Sequence, residues 1–331
     1  MGARLTMKDS NDKTLLDLVI GKKASDPADA RYVRRPGEAT VYSAVVRINK
    51  LSARFDDWIE RNLLKISTQD IRRLHIRDHM VDVVRHTLAN NGELMIGHED
   101  ASGRKWKLLK DEAPQAGNPQ MLADRPGSRD QELNGDKLDA LRTALEDLKI
   151  VGVKRKPAGL SSDLKTAKHF WDNVDGMRSL AAHGFHGAMV GNRVEVFCNS
   201  GELRVLMKDG LEYVLRFGEV AGTGEKDEPR KKDVKDNLSG PGPNRYLFVT
   251  TEFNADSVPK PSLEALPKDA APGDRVAKEN QQKEDEYQSR LKAGRKRAEE
   301  LNAQFADWYY VIPDDVFRKI HLTRTDIVQR K

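Results

Sequence analysis

Short apolar stretches separated by polar turns predict antiparallel strands in two parts of the chain. In the C-terminal part, residues 204–207 and 212–217 flank Asp209-Gly210, a pair that is typical of a tight hairpin turn. Near the N-terminus, residues 4–7 and 15–20 are joined by a longer polar segment and predict a looser hairpin. Further alternating stretches continue each hairpin, so we expect two antiparallel meanders. These stretches are 32–34 and 41–46 in the first meander and 193–197 and 246–251 in the second.

Two segments have the three- and four-residue apolar spacing of an amphipathic helix. Residues 137–148 carry a leucine stripe after Asn134-Gly135-Asp136, a typical start signal. A longer stripe runs from Tyr287 to Trp308 and predicts the longest helix, with Trp308 as a core anchor. The counterpart of this stripe near the N-terminus is formed by Ile48, Leu51, Phe55 and Trp58.

The remaining predicted strands are 71–76, 94–97 and 105–109.

These elements together predict an α+β fold in which helices pack on one face of antiparallel β-meander sheets, with long surface loops.

The chain also contains an internal repeat, which is the strongest regularity in its sequence. Residues 51–58 (LSARFDDW) match 301–308 (LNAQFADW), and the identical positions include both aromatic residues. Repeats of this kind indicate a duplicated structural module. Weaker matches follow in the same order: 4–9 with 204–209, 18–21 with 215–218, 31–33 with 245–247, and 68–71 with 324–327.

The repeat predicts the domain organisation. We expect a partial first repeat at 3–70 and a complete second repeat at 71–327, because the first copy lacks counterparts of residues 71–203. The missing half-repeat is expected upstream of Met1 in a longer polypeptide, and it would cover an apolar surface beside residues 3–70. The second copy carries loop insertions at 221–244 and 254–275, rich in Gly, Pro and charge, and a polar linker at 111–131.

Composition and charge exclude several classes of protein. The 331 residues include a single cysteine, Cys198, so an internal disulfide framework and a multi-cysteine zinc site are excluded. No uncharged apolar stretch reaches the roughly 18 residues of a membrane-spanning helix. The net charge of +5 does not form a patch, because residues 276–300 carry seven basic and six acidic side chains. The basic runs 154–156 and 295–297 lack interleaved aromatic residues, which argues against nucleic-acid binding.

Histidine pairs are the first candidates for metal chemistry. His75 and His79 lie in an alternating segment, and on a strand residues four apart are separated by about 13 Å. His183 and His186 are closer and are flanked by Gly184, but no third ligand is marked by its spacing. We therefore assign no metal ligand, no cofactor and no catalytic residue, and keep a metal-dependent enzyme using the His183/His186 region as an alternative.

The remaining candidates favour structural roles. Cys198 follows a predicted strand and is expected to be a buried, inert thiol. The glycine pairs at 222–224 and 240–242 lack the helix and the Gly-Lys-Ser/Thr ending of a phosphate-binding loop. Asp56, Asp57 and Asp307 fit the polar side of a helix better than an acid pair, and Trp58 and Trp308 fit core positions.

The repeated segments resemble a bacterial family called domain of unknown function 4340 (DUF4340), especially its planctomycete-like members. The resemblance is carried by packing segments: 18–23 with 31–33, 55–59, 199–203 with 213–218, and 305–312. Proteins that look like this typically have an N-terminal membrane anchor, face the cell envelope and are often encoded beside ABC-transporter components that resemble gliding-motility systems. The family has no established catalytic residues, and this sequence shows no anchor.

The resemblance implies a non-enzymatic cell-envelope protein, membrane-associated and extracytoplasmic in its full-length form. We expect it to be an accessory or binding component of an ABC-type transport system with membrane or envelope protein partners. A cytoplasmic location is the alternative, because the chain carries no signal segment. A basic nucleic-acid-binding protein is the other alternative to the predicted function.

Overall fold

The computed structural model describes residues 2–9, 11–25, 29–46, 58–82, 87–98, 105–112, 131–156, 173–190, 193–221, 243–265 and 275–330. The chain divides into two compact units, Met1–Ile59 and Glu60–Lys331. Antiparallel sheets and a few α-helices make up the described residues, which confirms the predicted α+β class.

The first unit contains an antiparallel meander, as the sequence predicts. Leu5 pairs with Leu18, and Arg4 pairs with Val19, so apolar and polar side chains alternate between the two faces. On the polar face the Arg4 guanidinium donates two hydrogen bonds to Asp17, at 3.0 and 2.7 Å. The strands, in spatial order, are β1 (Ala3–Lys8), β2 (Thr14–Lys23), β3 (Ala30–Arg34) and β4 (Tyr42–Val45).

The second unit is built on one large antiparallel sheet with two small strand pairs beside it. Within the described residues, the large sheet has the spatial order β7-β6-β5-β12-β13-β14-β15-β9. The small pairs are β10 with β11 and β16 with β8. The strands are β5 (Ile71–Asp82), β6 (Thr87–His98), β7 (Trp106–Glu112), β8 (Gln131–Leu133), β9 (Gly152–Arg155), β10 (Phe185–Val190), β11 (Arg193–Cys198), β12 (Glu202–Met207), β13 (Leu211–Val220), β14 (Arg245–Phe253), β15 (Trp308–Ile312) and β16 (Val328–Arg330).

Three of the predicted strand positions need comment. The hairpin at Asp209-Gly210 forms as predicted, with Gly210 at φ +89°. The prediction that 193–197 extends this meander is wrong, because β11 pairs with β10 and the free edge of β12 is taken by β5. The predicted linker 111–131 begins and ends in strands, since Asp111 lies in β7, which ends at Glu112, and Gln131 opens β8.

Helices cover both faces of the large sheet. On one face, Thr251 Oγ1 donates to the carbonyl oxygen of Ala298, and Phe217 packs edge-on against Phe317. On the opposite face, Leu180 packs with Phe248, so the prediction that all helices share one face is wrong. The helices are α1 (Gly135–Glu146), α2 (Val174–Ala182), α3 (Arg275–Phe305), α4 (Asp314–Ile320) and α5 (Arg324–Ile327). Of these, the described helices include none that is long and apolar enough to cross a membrane.

The long predicted helix is confirmed, but its tryptophan is not part of it. Tyr287, Leu291, Ala298, Leu301 and Phe305 form the buried stripe of α3. The helix ends at Phe305. Trp308 lies in β15 and pairs with Arg155 of β9, and this strand pairing prevails over the apolar spacing that predicts a helix up to Trp308. Trp58 is 66% exposed, so its prediction as a core anchor is wrong. Ile48, Leu51 and Phe55 lie outside the described residues.

The predicted insertions differ in how much of them the structure describes. Most of 221–244 lies outside the described residues. The start of 254–275 is packed, because Val258 is buried against Tyr287 and Leu291 of α3. The early part of this stretch therefore contributes to the core instead of forming only a surface loop.

The two meanders share a strand register. Ile20 pairs with Val33, and their counterparts in the repeat, Phe217 and Leu247, also pair. The register then shifts at the same place in both, between Ile20 and Lys23 and between Phe217 and Val220. A bulge at a matched position is a specific feature of a sheet. This agreement supports the repeat found in the sequence, although duplication itself stays a prediction.

The bulge glycines provide a matched test of this packing. A β-carbon on Gly218 would lie 2.1 Å from the carbonyl oxygen of His183, whereas one on Gly21 would lie 3.3 Å from the carbonyl oxygen of Tyr32. We expect Gly218→Ala to lower the free energy of unfolding by about 2–4 kcal/mol, and Gly21→Ala by about 1 kcal/mol or less. Urea denaturation with hydrogen exchange of β13 and β2 measures both. Equal losses would contradict the close approach of β13 to the end of α2.

Candidate functional site

Lys156 is the most unusual ionisable group of the second unit. Its backbone N–H donates to the carbonyl oxygen of Asp307 at 2.7 Å, which places the side chain beneath the sheet. The ammonium nitrogen lies 3.9 Å from the ring centroid of Phe248 and 3.5 Å from the carbonyl oxygen of Phe305, at the end of α3. Among the described residues no carboxylate is within ion-pair distance of this nitrogen. Burial therefore lowers the pKa of Lys156 to about 7, and the more distant Asp307 opposes this only in part.

His183 lies in the same cluster, immediately after α2. Its ring stacks on Tyr309 with centroids 4.2 Å apart, and its Nδ1 lies 2.5 Å from the carbonyl oxygen of Ser179. A carbonyl oxygen can only accept, so Nδ1 carries the proton. Nε2 is buried and has no hydrogen-bond partner among the described residues. Burial lowers the pKa of His183, so the ring is neutral near pH 7.

Aromatic side chains hold these two groups in place. Tyr309 extends from β15 and contacts His183, Phe185 and Lys156, and its hydroxyl lies 3.1 Å from Ser179 Oγ. Burial raises the pKa of Tyr309 to about 12. Near pH 7 the cluster therefore consists of an amine that is about half protonated, a neutral imidazole and a neutral phenol, all away from bulk solvent. The aromatic side chains of this cluster pack the β10–β11 pair against the sheet.

The histidine pair from the sequence does not converge on a common ligand position. His186 Nε2 lies 3.0 Å from Asn199 Oδ1, whereas His183 contacts Tyr309 and Tyr246. Among the residues that the structure describes, no group of three or more His, Cys, Asp or Glu side chains is placed to hold a metal ion. Within the described part of the chain, His183 and His186 therefore have no third ligand beside them.

The other histidine pair lies on a strand, as predicted. His75 and His79 both belong to β5; His75 contacts Glu93, and His79 Nε2 lies 3.6 Å from the sulfur of Cys198. Cys198 is buried, as expected, and its thiol donates to the carbonyl oxygen of Gly201 at 2.8 Å. Burial and the nearby Glu202 raise the pKa of Cys198 to about 12. The thiol stays protonated, so His79 does not generate a nucleophilic thiolate.

A buried carboxylate organises the centre of the large sheet. Glu202 of β12 lies 3.2 Å from nitrogens of Arg77 and Arg204 and 3.0 Å from Arg216, and its side chain is 2% exposed. Burial alone would raise the pKa of Glu202, but the guanidinium groups of Arg216, Arg204 and Arg77 together lower it to about 2. Arg204 also reaches Glu212 and Glu252, at 3.2 Å each.

Sequence reasoning missed both of these clusters. The Glu202 group joins strands β5, β12 and β13, and the only local signal is the alternation of charged and apolar residues in β12. Lys156 belongs to the basic run 154–156, which in the sequence is a candidate only for contact with nucleic acid, but the residue is 7% exposed. Asp307 is largely exposed and lies 4.0 Å from Arg155. It lies in the turn after α3, so its predicted position on the polar side of the helix is wrong. Asp56, Asp57 and the glycine pairs at 222–224 and 240–242 lie outside the described residues.

Residues 2–165 match the model of a family described as "Domain of unknown function (DUF4340)". The match covers the first meander and continues through β5, β6, β7, α1 and β9 of the second unit. No curated protein and no solved structure matches the chain.

Replacing Lys156 tests the buried amine. Because the pKa of Lys156 is depressed from 10.5 to about 7, the unfolded chain binds an extra proton between these values. Stability from this group is complete above pH 10.5 and is lost as pH falls through 7. At pH 6 we expect Lys156→Met to raise the free energy of unfolding by several kcal/mol, at most about 5. In the wild type the free energy of unfolding should increase between pH 7 and pH 10 because of Lys156, and this increase should be smaller in the variant. Lys149→Met, at an exposed position, is the control; matching pH profiles for the two variants would contradict the buried position of Lys156.

Replacing Glu202 tests the ion-pair cluster. Removing one partner of a buried charge group leaves the guanidinium groups uncompensated, so we expect Glu202→Gln to lower the free energy of unfolding by about 3–5 kcal/mol at pH 7. The pKa of Glu202 is depressed from 4.5 to about 2, so the contribution of its charge is present above pH 4.5 and is lost as pH falls towards 2. Between pH 4.5 and pH 2 the free energy of unfolding should therefore fall less steeply in the variant than in the wild type. Chemical denaturation from pH 3 to 7 measures this, with exposed Glu195→Gln as control.

Proposed function

We propose that this chain, which belongs to the DUF4340 family, is a non-enzymatic protein of the cell envelope that binds other proteins. Its partner is proposed to be a component of an ABC-type transport system. The family resemblance supports the envelope location and the transport association. The surface of the first unit supports the binding role.

One face of the four-stranded meander is apolar over most of its width. Strand pairing places Leu5 with Leu18, Met7 with Leu16 and Val33 with Tyr42 on this face. Met7 is 47% exposed and Tyr42 is 53% exposed. Leu5, Leu16 and Leu18 on the same face are partly exposed. Exposed apolar residues on one sheet face mark interaction sites. This face is the single observation that carries the proposal.

The second unit indicates what such a face is built to receive. Ile20 and Val33 at the centre of this face are buried, and so are their counterparts in the second unit, Phe217 and Leu247. Phe217 packs against Phe317 of α4, and α3 lies over the same side of the sheet at Thr251. The most exposed parts of the first unit's apolar face lie on its outer strands, at Met7 in β1 and Tyr42 in β4. We propose that an amphipathic helix of the partner protein packs against these outer strands.

The charge pattern of the second unit favours this role over nucleic-acid binding. Along α3, basic side chains are matched by acidic ones one turn away. Lys296 and Arg297 lie 3.7 and 3.8 Å from Glu300, and Arg275 lies 3.4 Å from Glu279. Such pairs belong to a solvated helix face and leave no uniform basic patch along it.

Site-specific photo-crosslinking in the native host tests the binding role. We expect p-benzoylphenylalanine at Tyr42 to crosslink to a membrane-associated transport component, identified by mass spectrometry of the membrane fraction. Ser43, which lies next in β4 and on the opposite face, is the matched control and should give little product. Equal crosslinking from both positions, or none from Tyr42, would contradict binding through the apolar face. A crosslinked partner unrelated to transport would contradict the transport association alone.

A further inference from the structure

A groove of about 270 Å³ lies where β5 begins, and no part of the proposed function uses it. Five segments meet there: the start of β5, the end of β6, the middle of β7, the end of β12 and the turn that follows β14. The groove is lined by polar groups of these segments, together with Leu109 and Leu206. The polar side chains are those of Arg72, Arg73, His98, Asn254, Asp256 and Ser257.

Arg73 is the arginine of this sheet that has no acceptor. It shares a strand face with Arg77 on β5, and Arg77 lies 3.2 Å from Glu202. Arg73, in contrast, makes no hydrogen bond and no ion pair within the described residues, and its Nε is buried without a partner. The charge of Arg73 opposes the rise in the pKa of the Glu212 carboxyl that burial causes. Of the five N–H donors of its guanidinium group, the Nε–H is buried. A buried donor without an acceptor is rare in proteins, and an absent water or ion is one explanation.

Arg72 adds a second guanidinium group at the same groove. Its Nη1 donates to the backbone carbonyl oxygen of Ser257, and this contact fixes the side chain beside the turn. Its other N–H groups make no hydrogen bond within the described residues. Asp256 is the acidic residue of the lining, and it is exposed. The groove is therefore lined by two guanidinium groups and one exposed carboxylate, and its net charge is positive.

We propose that this groove binds an oxyanion, specifically a phosphate group, through the guanidinium of Arg73 with Arg72 at its rim. The planar fork of arginine matches two oxygens of a phosphate and forms paired, charge-assisted hydrogen bonds. The volume accommodates a phosphate group with a small substituent. Free phosphate and a phospholipid headgroup offer this same chemistry.

Nuclear magnetic resonance of the arginine Nε–H groups tests the site in the intact chain. Inorganic phosphate is titrated at constant ionic strength, with chloride as the reference anion. We expect a saturable shift of the Arg73 Nε–H signal in the wild-type protein, which needs no variant. Arg73→Gln should weaken phosphate binding at least about tenfold, because a pair of charge-assisted hydrogen bonds is lost. Arg178→Gln, at an exposed arginine of α2 that pairs with Asp175, should leave it unchanged.

Two further results would overturn the proposal. If phosphate binds Arg73→Gln and Arg178→Gln as it binds the wild type, the groove is not the site. If phosphate leaves the Arg73 signal unshifted while Arg73→Gln changes the titration of the Glu212 carboxyl, Arg73 is only a counter-charge within the sheet. Thermal unfolding of both variants verifies that they are folded.

Vesicles distinguish the two sources of the phosphate group. Phosphatidylcholine vesicles with and without phosphatidic acid are sedimented with the wild-type chain and with Arg73→Gln. Arg73-dependent sedimentation with phosphatidic acid identifies a lipid headgroup as ligand. Binding of inorganic phosphate without such sedimentation identifies a free phosphate compound. Both outcomes support the oxyanion site, and neither depends on the protein-binding role of the first unit.

Discussion

Strand β12 joins two parts of the second unit that are distant in sequence. It pairs with β5 on one side and with β13 on the other, and the Arg77–Glu202 ion pair links residues 125 positions apart. Closing so long a loop is entropically unfavourable, so the pairing must be stabilised by strong local contacts. Glu202 supplies them, because its buried carboxylate is compensated only when β5, β12 and β13 are in register. The rest of the sheet extends outward from this seam.

The two faces of the large sheet differ in the residues that they carry. On the side of α3 and α4, the inward positions are almost wholly apolar, and the helices close over them. On the other side, charged residues near Glu202 give way to the aromatic cluster of Phe248 and Tyr309. Lys156 enters this cluster because β9 is the last strand of the sheet and its end is fixed by Asp307. Its depressed pKa is thus a result of this burial, with no carboxylate of the described residues within ion-pair distance of its nitrogen.

Local signals predicted the local structure well. The Asp209-Gly210 hairpin and the apolar stripe of α3 depend on neighbouring residues, and both are confirmed. The alternation of apolar and polar residues does not determine which distant segments pair. For this reason it places strand 193–197 in the large sheet, whereas β11 pairs with β10. The same limit applies to the sites: Glu202, Lys156 and Arg73 gain their properties from strands far away in sequence. No spacing along the chain marks these groups.

The two meanders agree at their centres and differ at their edges. Their registers match through the bulge at Gly21 and Gly218. The paired central residues are buried in both units, Ile20 with Val33 in the first and Phe217 with Leu247 in the second. In the second unit Phe217 packs against Phe317 of α4. In the first unit Met7 and Tyr42, which lie on the outer strands of the same face, are about half exposed. The bulge therefore fixes the centre of each meander, and the difference in exposure lies at positions outside it.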